Sequence, residues 1–298
     1  MKSTKRFYVI VNPHGGARRG LRILDKVKPI FESNNCEIAI LETQFAGHAR
    51  KYANELPLAG YNGLCVIGGD GSMHEIVNGL LSRKDKKKIP LGIITGGTGN
   101  SFMRDLDCLD PEEAAIRIIK GIRRPIDIAK VEANGEIIYA FNIVGWGMAT
   151  EINLLAEKIR WLGPQRYNVA SIIEVIRNRE RLATIIIDGN KFAGDYGFIL
   201  GCLTKHTGRG MKMAPLARLD DGLIDLVIAR KPGRLKMLSL FSKVFSGKHI
   251  GSPVFDYRQV KEFSIIPIDQ SQLNIDGEMI GSSPLNVKIL NKAIEVLV

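Results

Sequence analysis

The sequence predicts an N-terminal α/β domain with a mainly parallel sheet, followed by a C-terminal domain of mainly antiparallel β-structure. Up to about residue 125, short β-branched runs alternate with helical patterns, as in a parallel sheet covered by helices. From Ile126 onward, β-rich runs are joined by hairpin signals such as Asn134-Gly135 and Asp188-Gly189. A length of 298 residues also favours two domains.

The predicted first domain spans residues 1–125 and the second spans 126–283. In the first domain we expect strands over 7–12, 36–43, 63–68 and 91–95, and helices over 17–34, 47–56, 73–83 and 111–121. The last of these helices is marked by Asp110-Pro111 at its start and Gly121 at its end. The segment from about 284 to 298 either closes the second sheet or returns to the first domain.

The second domain contains further β-rich runs, among them DGLIDLVIAR, VKEFSIIPID and LNIDGEMI. Helical patterns interrupt them near 151–160, 166–179 and 233–247.

The composition narrows the partners and the compartment. With 42 Lys and Arg against 31 Asp and Glu, the formal charge is +11, which suits phosphate-bearing ligands or an anionic membrane. The chain shows no aromatic RNA-binding run, zinc pattern or recognition helix, which argues against nucleic acid. Four widely spaced cysteines indicate buried free thiols in a reducing compartment. No uncharged apolar run reaches about 18 residues, so we expect no membrane-spanning helix.

Three glycine-containing loops follow predicted parallel strands. They are Asn12–Arg18, Gly68–Ser72 and Thr95–Ser101. Loops at the carboxyl ends of neighbouring parallel strands lie side by side, and glycine lets backbone N–H groups approach phosphate oxygens. A tight turn would also need glycine, but it would not need the carboxylate of Asp70. None of the loops matches the Walker or GxGxxG patterns.

Five motifs in order resemble the diacylglycerol kinase catalytic family, which includes bacterial lipid kinases, sphingosine kinases and ceramide kinases. They are NPHGG (12–16), GGDGSMHEIVNGL (68–80), GTGNSFMRDL (97–106), LARLDDGLIDL (216–226) and NIDGE (274–278). The stretch at 145–167 is similar to the lipid-binding part of sphingosine and ceramide kinases. The resemblance implies a nucleotide-binding α/β domain like that of NAD kinases, a C-terminal lipid-binding β-sandwich, and transfer of the γ-phosphoryl of ATP to a primary lipid hydroxyl. The lipid would be diacylglycerol, sphingosine or ceramide.

The same resemblance assigns roles to individual residues. The expected ATP-binding residues are Asn12, Pro13, His14, Gly15, Gly16, Thr43, Gly68, Gly69, Asp70, Gly71, Ser72, Met73, His74, Thr98, Gly99 and Asn100. The general base is Asp70 or Glu278, and both carboxylates are kept as candidates. Asp221 and the main-chain carbonyls of Arg218 and Leu223 correspond to a structural Mg²⁺ site, and Asp70 is the candidate ligand for the Mg²⁺ that accompanies ATP.

The lipid-facing residues carry alternatives of their own. Glu151 corresponds to the acidic residue that holds the lipid's polar head, although a charge at a helix N-terminus explains it equally well. Asp276-Gly277 alone would predict a hairpin turn, and Asp220-Asp221-Gly222 an ordinary turn.

Charge beside apolar groups predicts peripheral docking on an anionic membrane from the cytoplasm. The basic residues are Arg18, Arg19, Arg22, Lys158, Arg160 and Arg166, the last three around Trp161 and Leu162. The alternatives are a kinase of a water-soluble metabolite, of the NAD kinase type, and a non-catalytic lipid- or nucleotide-binding relative. Oligomeric state is left open, including a homodimer.

Overall fold

The computed structural model describes residues 4–13, 19–97, 99–177, 179–208, 210–230 and 233–298. The chain divides into two compact units. The first unit is Met1–Ile128 together with Asn291–Val298, and the second is Ala129–Leu290.

The first unit is a parallel sheet with helices between its strands. Its strands are β1 (Lys5–Val11), β2 (Cys36–Glu42), β3 (Gly63–Gly68) and β4 (Leu91–Thr95). Their order is β2-β1-β3-β4, all parallel, and the end of β15 (Leu285–Leu297) pairs with β4 through Val296 and Leu91. The helices are α1 (Gly20–Ser33), α2 (His48–Glu55), α3 (Asp70–Leu81), α4 (Ser101–Asp105) and α5 (Pro111–Lys120).

Local sequence explains most of these elements. Helix α1 turns Ile23, Leu24, Val27 and Phe31 towards a core with Val9 and Cys65. Helix α5 begins where the carboxylate of Asp110 accepts hydrogen bonds from the N–H groups of Glu112 and Glu113, both at 2.9 Å. It ends at Gly121, whose φ of 78° is left-handed.

The second unit is antiparallel throughout its described pairings. Its strands are the end of β5 (Arg123–Ala133), then β6 (Glu136–Ala140), β7 (Ile143–Gly147), β8 (Leu182–Ile187), β9 (Asn190–Cys202), β10 (Ile224–Arg230), β11 (Phe255–Val260), β12 (Glu262–Pro267), β13 (Gln272–Ile275), β14 (Glu278–Ser282) and the start of β15. The long strand β9 pairs with β8 over its first half and with β7 and β10 over its second half, so it belongs to both layers. The start of β15 pairs with β12.

The core of the second unit lies between these two layers. Ile185 and Phe263 from one layer pack in the same buried cluster as Ile199, Leu226 and Ile275 from the other. The outer face of the second layer is covered by helices α6 (Met148–Lys158), α7 (Arg166–Arg177) and α8 (Arg234–Val244). The predicted fold class, an α/β unit followed by an antiparallel β-sandwich, is confirmed.

The hairpin signals behave as their residues dictate. Asn134-Gly135, Asp188-Gly189 and Asp276-Gly277 each have two successive positive φ angles, as a two-residue type I′ turn requires. Cys36, Cys65, Cys108 and Cys202 are buried free thiols, as predicted.

Candidate functional site

The order of strands in the first unit places a ligand site at one edge of the sheet. The chain moves to opposite sides of β1 when it continues to β2 and to β3, and ligands of open α/β sheets bind beyond the strand ends at such a reversal. Asn12 and Pro13 follow β1 there, and the N–H of Thr43, after β2, donates to the carbonyl of Val11 at 2.9 Å. His14, Gly15, Gly16 and Arg18 lie outside the described residues.

The loops after β3 and β4 touch each other directly. The N–H groups of Gly96 and Gly97 donate to the carbonyl of Gly68 at 2.7 and 3.1 Å. A Cβ on Gly69 would lie 2.8 Å from the Cα of Gly97, so no larger residue fits between the two backbones. The two predicted phosphate loops are therefore one joined surface, to which Arg19 adds a guanidinium 3.5 Å from the carbonyl of Gly97. Thr98 lies outside the described residues.

Asp70 is the first residue of α3, and its carboxylate reaches across to the second loop. Its Oδ2 accepts a hydrogen bond from the N–H of Ser101 at 2.8 Å and its Oδ1 one from the N–H of Phe102 at 3.3 Å. These donors belong to the first turn of α4, whose N–H groups have no partner within the helix. Asp70 thus fixes the position of the 97–101 loop.

The remaining nucleotide candidates differ in how much of their side chain is accessible. Gly71, Ser72, Gly99 and Asn100 are partly exposed. Met73 and His74 are only 1% and 7% exposed, and Nε2 of His74 lies 3.3 Å from Nδ2 of Asn78. Any contact of Met73 or His74 with ATP would have to be made mainly by the backbone.

The two acidic residues of the Asp276-Gly277-Glu278 turn have opposite environments in the second unit. Asp276 is 4% exposed, and its carboxylate accepts hydrogen bonds from the N–H groups of Phe141, Asn142 and Ile143 at 3.3, 2.8 and 3.1 Å. Glu278 is exposed at the start of β14, and within the described residues its side chain has no hydrogen bond or ion pair. Asp276 therefore anchors the hairpin, while the carboxylate of Glu278 is accessible.

Glu151, the predicted contact for the lipid head, lies at the start of α6 and is already ion-paired. Arg181 Nε donates to its Oε1 at 3.0 Å, and Nη2 of the same guanidinium binds its Oε2. Burial alone would raise the pKa of Glu151, but the hydrogen bonds and charge of Arg181, with smaller contributions from Glu174 and Arg179, hold that pKa below its ordinary value.

The predicted Mg²⁺ ligands lie in the loop before β10. Oδ1 of Asp221 accepts a hydrogen bond from the N–H of Leu223 at 3.1 Å, and Gly222 between them has a φ of 75°. Burial first, and the charge of Asp221 in addition, raise the pKa of Asp225. A cation bound at Asp221 would relieve this repulsion, so the residues fit a hard divalent ion.

Apolar and basic side chains share one surface of the second unit. Trp161 is 80% exposed in the 3₁₀ segment Arg160–Gln165, and Ile172 and Ile176 of α7 are 49% and 55% exposed. Lys158 is exposed, whereas Arg166 is paired with Glu157 at 3.3 Å. The side chain of Arg160 lies outside the described part of the chain. No helix in the described ranges is long and apolar enough to span a bilayer.

The sequence did not reveal the partners that hold these residues. Arg181 and Asp276 have structural roles that depend on contacts between distant segments. Arg104 in α4, within the GTGNSFMRDL motif, was also unassigned. A buried arginine beside a phosphate loop is the signal that could have drawn attention to it.

Comparisons with known proteins agree with this architecture. Residues 6–131 match the diacylglycerol kinase catalytic domain, and residues 142–298 match the YegS C-terminal NAD kinase beta sandwich-like domain. A diacylglycerol kinase from Bacillus subtilis is 32% identical over 94% of this chain and 92% of its own length. Sphingosine kinase 1 from Arabidopsis thaliana is 28% identical over 97% of this chain and 71% of its own length.

A solved structure supports the fold independently. The crystal structure of a diacylglycerol kinase from Bacillus anthracis has a TM-score of 0.78 and 24% identity, covering 100% of this chain and 98% of that one. The two-unit architecture with joined glycine loops is that of a kinase. The chain belongs to the diacylglycerol kinase catalytic family, and membership implies the use of ATP.

Proposed function

We propose that this protein transfers the γ-phosphoryl group of ATP to a primary hydroxyl of a membrane lipid, of the diacylglycerol, sphingosine or ceramide type, with Mg²⁺. The observation that carries the proposal is the joined surface of the Gly68–Ser72 and Gly96–Asn100 loops, held together by Asp70. Such a surface offers backbone N–H groups to phosphate oxygens and a carboxylate beside them. The names of the relatives supply the lipid class.

ATP would bind along the loops of the first unit, which we propose as its catalytic nucleotide-binding domain. Phosphoryl transfer depends mainly on positioning and charge stabilisation. The close contact of Gly69 and Gly97 holds two of these loops in a fixed relation before the ligand arrives. That reduces the ordering required when the nucleotide binds.

Two carboxylates remain proposed for the proton of the lipid hydroxyl. Asp70 is held by two backbone N–H groups, which favour its charged form, so it suits the orientation of a hydroxyl or a hydrated cation. Glu278 is exposed and free to approach a substrate. A carboxylate that accepts the proton late in the transfer needs correct placement more than high basicity.

The Mg²⁺ sites are part of the proposal. Among the described residues no group of three or more Asp, Glu, His and Cys side chains forms a metal cluster. Asp221 with the carbonyls of Arg218 and Leu223 would instead hold a structural ion through one carboxylate and two main-chain oxygens, and Asp70 would contact the ion that accompanies ATP. When bound there, Mg²⁺ supplies positive charge that offsets the phosphate groups.

The second unit is proposed as the lipid-binding domain. Trp161, Ile172 and Ile176 beside Lys158 provide an apolar surface with positive charge, suited to peripheral contact with an anionic leaflet. Glu151 would contact the lipid head only by sharing its carboxylate with Arg181. A lipid ammonium would then meet a carboxylate that is already neutralised.

One assay tests the proposal. Sphingosine, ceramide, diacylglycerol and NAD are offered in separate mixed-micelle reactions with ATP and Mg²⁺, with Asp70→Asn as the control. Phosphorylation of a lipid by the wild type and not by Asp70→Asn is the expected result. Phosphorylation of NAD alone would overturn the lipid assignment. This second candidate has one observation in its favour, the match of residues 142–298 to an NAD kinase-like sandwich.

A further inference from the structure

We propose that Arg104 binds the phosphate groups of the nucleotide, as a ligand additional to the glycine loops. The inference rests on the proposed ATP-dependent function and concerns the same site. Arg104 lies in the short helix α4, one turn after Asn100. Its Nε is completely buried and has no hydrogen-bond acceptor among the described residues.

Other arginines of the first unit show how the fold treats a guanidinium with a structural role. Arg83 binds both carboxylate oxygens of Asp85 and the carbonyls of Ala53 and Leu56, at 2.8 to 3.0 Å. Arg117 likewise binds Glu113 and two main-chain carbonyls, at 2.5 to 3.1 Å. Within the described chain, the side chain of Arg104 has no such bond. The contrast indicates that the acceptor for Arg104 comes from outside the protein.

Helix geometry directs this side chain towards the loop. Long side chains in helices lean towards the N-terminus and cover the preceding turn. For Arg104 the preceding turn is the Asn100–Ser101 segment, which touches Gly97 and Asp70. The guanidinium therefore lies over the second glycine loop.

Asn100 provides a second, independent observation. Its Nδ2 donates to the carbonyl of Gly97 at 2.9 Å, but its Oδ1 is buried and accepts no hydrogen bond from any described residue. The loop thus carries one unmatched buried donor and one unmatched buried acceptor. A nucleotide can satisfy both, because it has anionic phosphate oxygens together with hydroxyl and amino donors, whereas inorganic phosphate at high pH offers acceptors almost alone.

Unmatched buried polar groups reduce the stability of the free protein. Removing the guanidinium should therefore leave stability unchanged or raise it, while weakening the nucleotide. A structural arginine would behave in the opposite way. The two effects, measured together, separate a ligand from a support.

The test measures melting temperature and binding of ATP, ADP and adenosine for the wild type, Arg104→Met and Arg104→Lys. For Arg104→Met we expect an unchanged or higher melting temperature and a Kd for ATP about 10- to 100-fold weaker, the loss of a charge-assisted bond. Adenosine affinity should not change, and Arg104→Lys should recover part of the ATP affinity. The matched control, Arg83→Met, should lower the melting temperature and leave ATP affinity intact.

A lower melting temperature for Arg104→Met with unchanged ATP affinity would overturn the proposal, as would equal losses for ATP and adenosine. These readouts do not involve a lipid. If the wild type binds ATP but phosphorylates no lipid, the proposed function fails while the role of Arg104 is still decided. A wild type that does not bind ATP refutes both.

Discussion

The carboxylate of Asp70 accepts a hydrogen bond from the backbone N–H of Ser101 at 2.8 Å, joining the loops that follow two neighbouring strands. Further along the same helix, Glu75 accepts hydrogen bonds from the N–H groups of Gly47 and Ala49, both at 3.0 Å. Helix α3 therefore holds the start of α4 and the start of α2 through carboxylates. Substitution of either acid would change a loop as well as a charge.

The first prediction concerns Asp70→Asn. The change keeps the shape of the side chain but removes its charge and places an amide donor near backbone N–H groups. We expect kcat to fall by about 10²- to 10⁴-fold, and stability by about 1 kcal/mol through loss of the helix cap. Steady-state kinetics, ATP titration and thermal melting measure the three effects. An Asp70→Asn protein with wild-type kcat would contradict the catalytic assignment.

The strand order and the helices of the first unit could largely be predicted, because each has a clear local pattern. Helix α5 has its Asp110 cap and terminal Gly121, and the three hairpin turns have the residues that positive φ angles favour. Helix α4 was missed. It has five residues, too few for a periodic pattern, and its first N–H groups depend on Asp70, 31 residues earlier in the chain.

The second prediction is that Glu278→Gln abolishes turnover without destabilising the fold. Its side chain is exposed and makes no hydrogen bond or ion pair to the described residues, so no contact is lost. The melting temperature should change by less than that of a surface substitution of about 0.5 kcal/mol. If Glu278→Gln kept full activity while Asp70→Asn lost it, Asp70 alone would be the candidate base.

The third prediction is the reverse behaviour of Asp276→Ala. Its carboxylate accepts three backbone hydrogen bonds at the start of β7 and is buried, so the change leaves those donors unmatched. We expect a loss of about 2 to 4 kcal/mol in the free energy of unfolding. Urea denaturation measures it. A variant as stable as Glu278→Gln would show that the anchor has no energetic value.

Predicting the candidate site from the sequence worked best where the motif itself forms the contact. The glycines at 68, 69 and 97 are required by the close approach of two backbones. The role of Glu151 could not be read in the same way, because its partner Arg181 is 30 residues away and belongs to no motif. Pairing between distant charged side chains is decided by packing, which leaves no periodic trace in the sequence.

The fourth prediction is an acid-dependent loss of stability that originates at the Glu151–Arg181 pair. The pKa of Glu151 is lowered in the folded state from its ordinary 4.5. Its contribution is therefore fully present above pH 4.5 and is lost as the pH falls through the lower, folded-state pKa. Glu151→Gln should be less stable than the wild type at pH 7, and the difference should shrink below about pH 4.5. Melting curves between pH 3 and 7, about the range of carboxylate titration, measure this, and a constant difference would exclude the pair as its source.

The fifth prediction concerns docking on membranes. Trp161 is 80% exposed beside Lys158, so we expect Trp161→Ala to weaken binding to phosphatidylglycerol vesicles by about 10-fold or more through lost apolar burial. Lys158→Ala should weaken binding about 5-fold on anionic vesicles and leave neutral phosphatidylcholine vesicles unaffected, and high salt should reproduce its effect. Vesicle sedimentation measures both. Ile268→Ala is the matched control, since Ile268 is 73% exposed but is followed by Asp269. If Ile268→Ala weakened binding as much as Trp161→Ala, the surface around Trp161 would not be the docking surface.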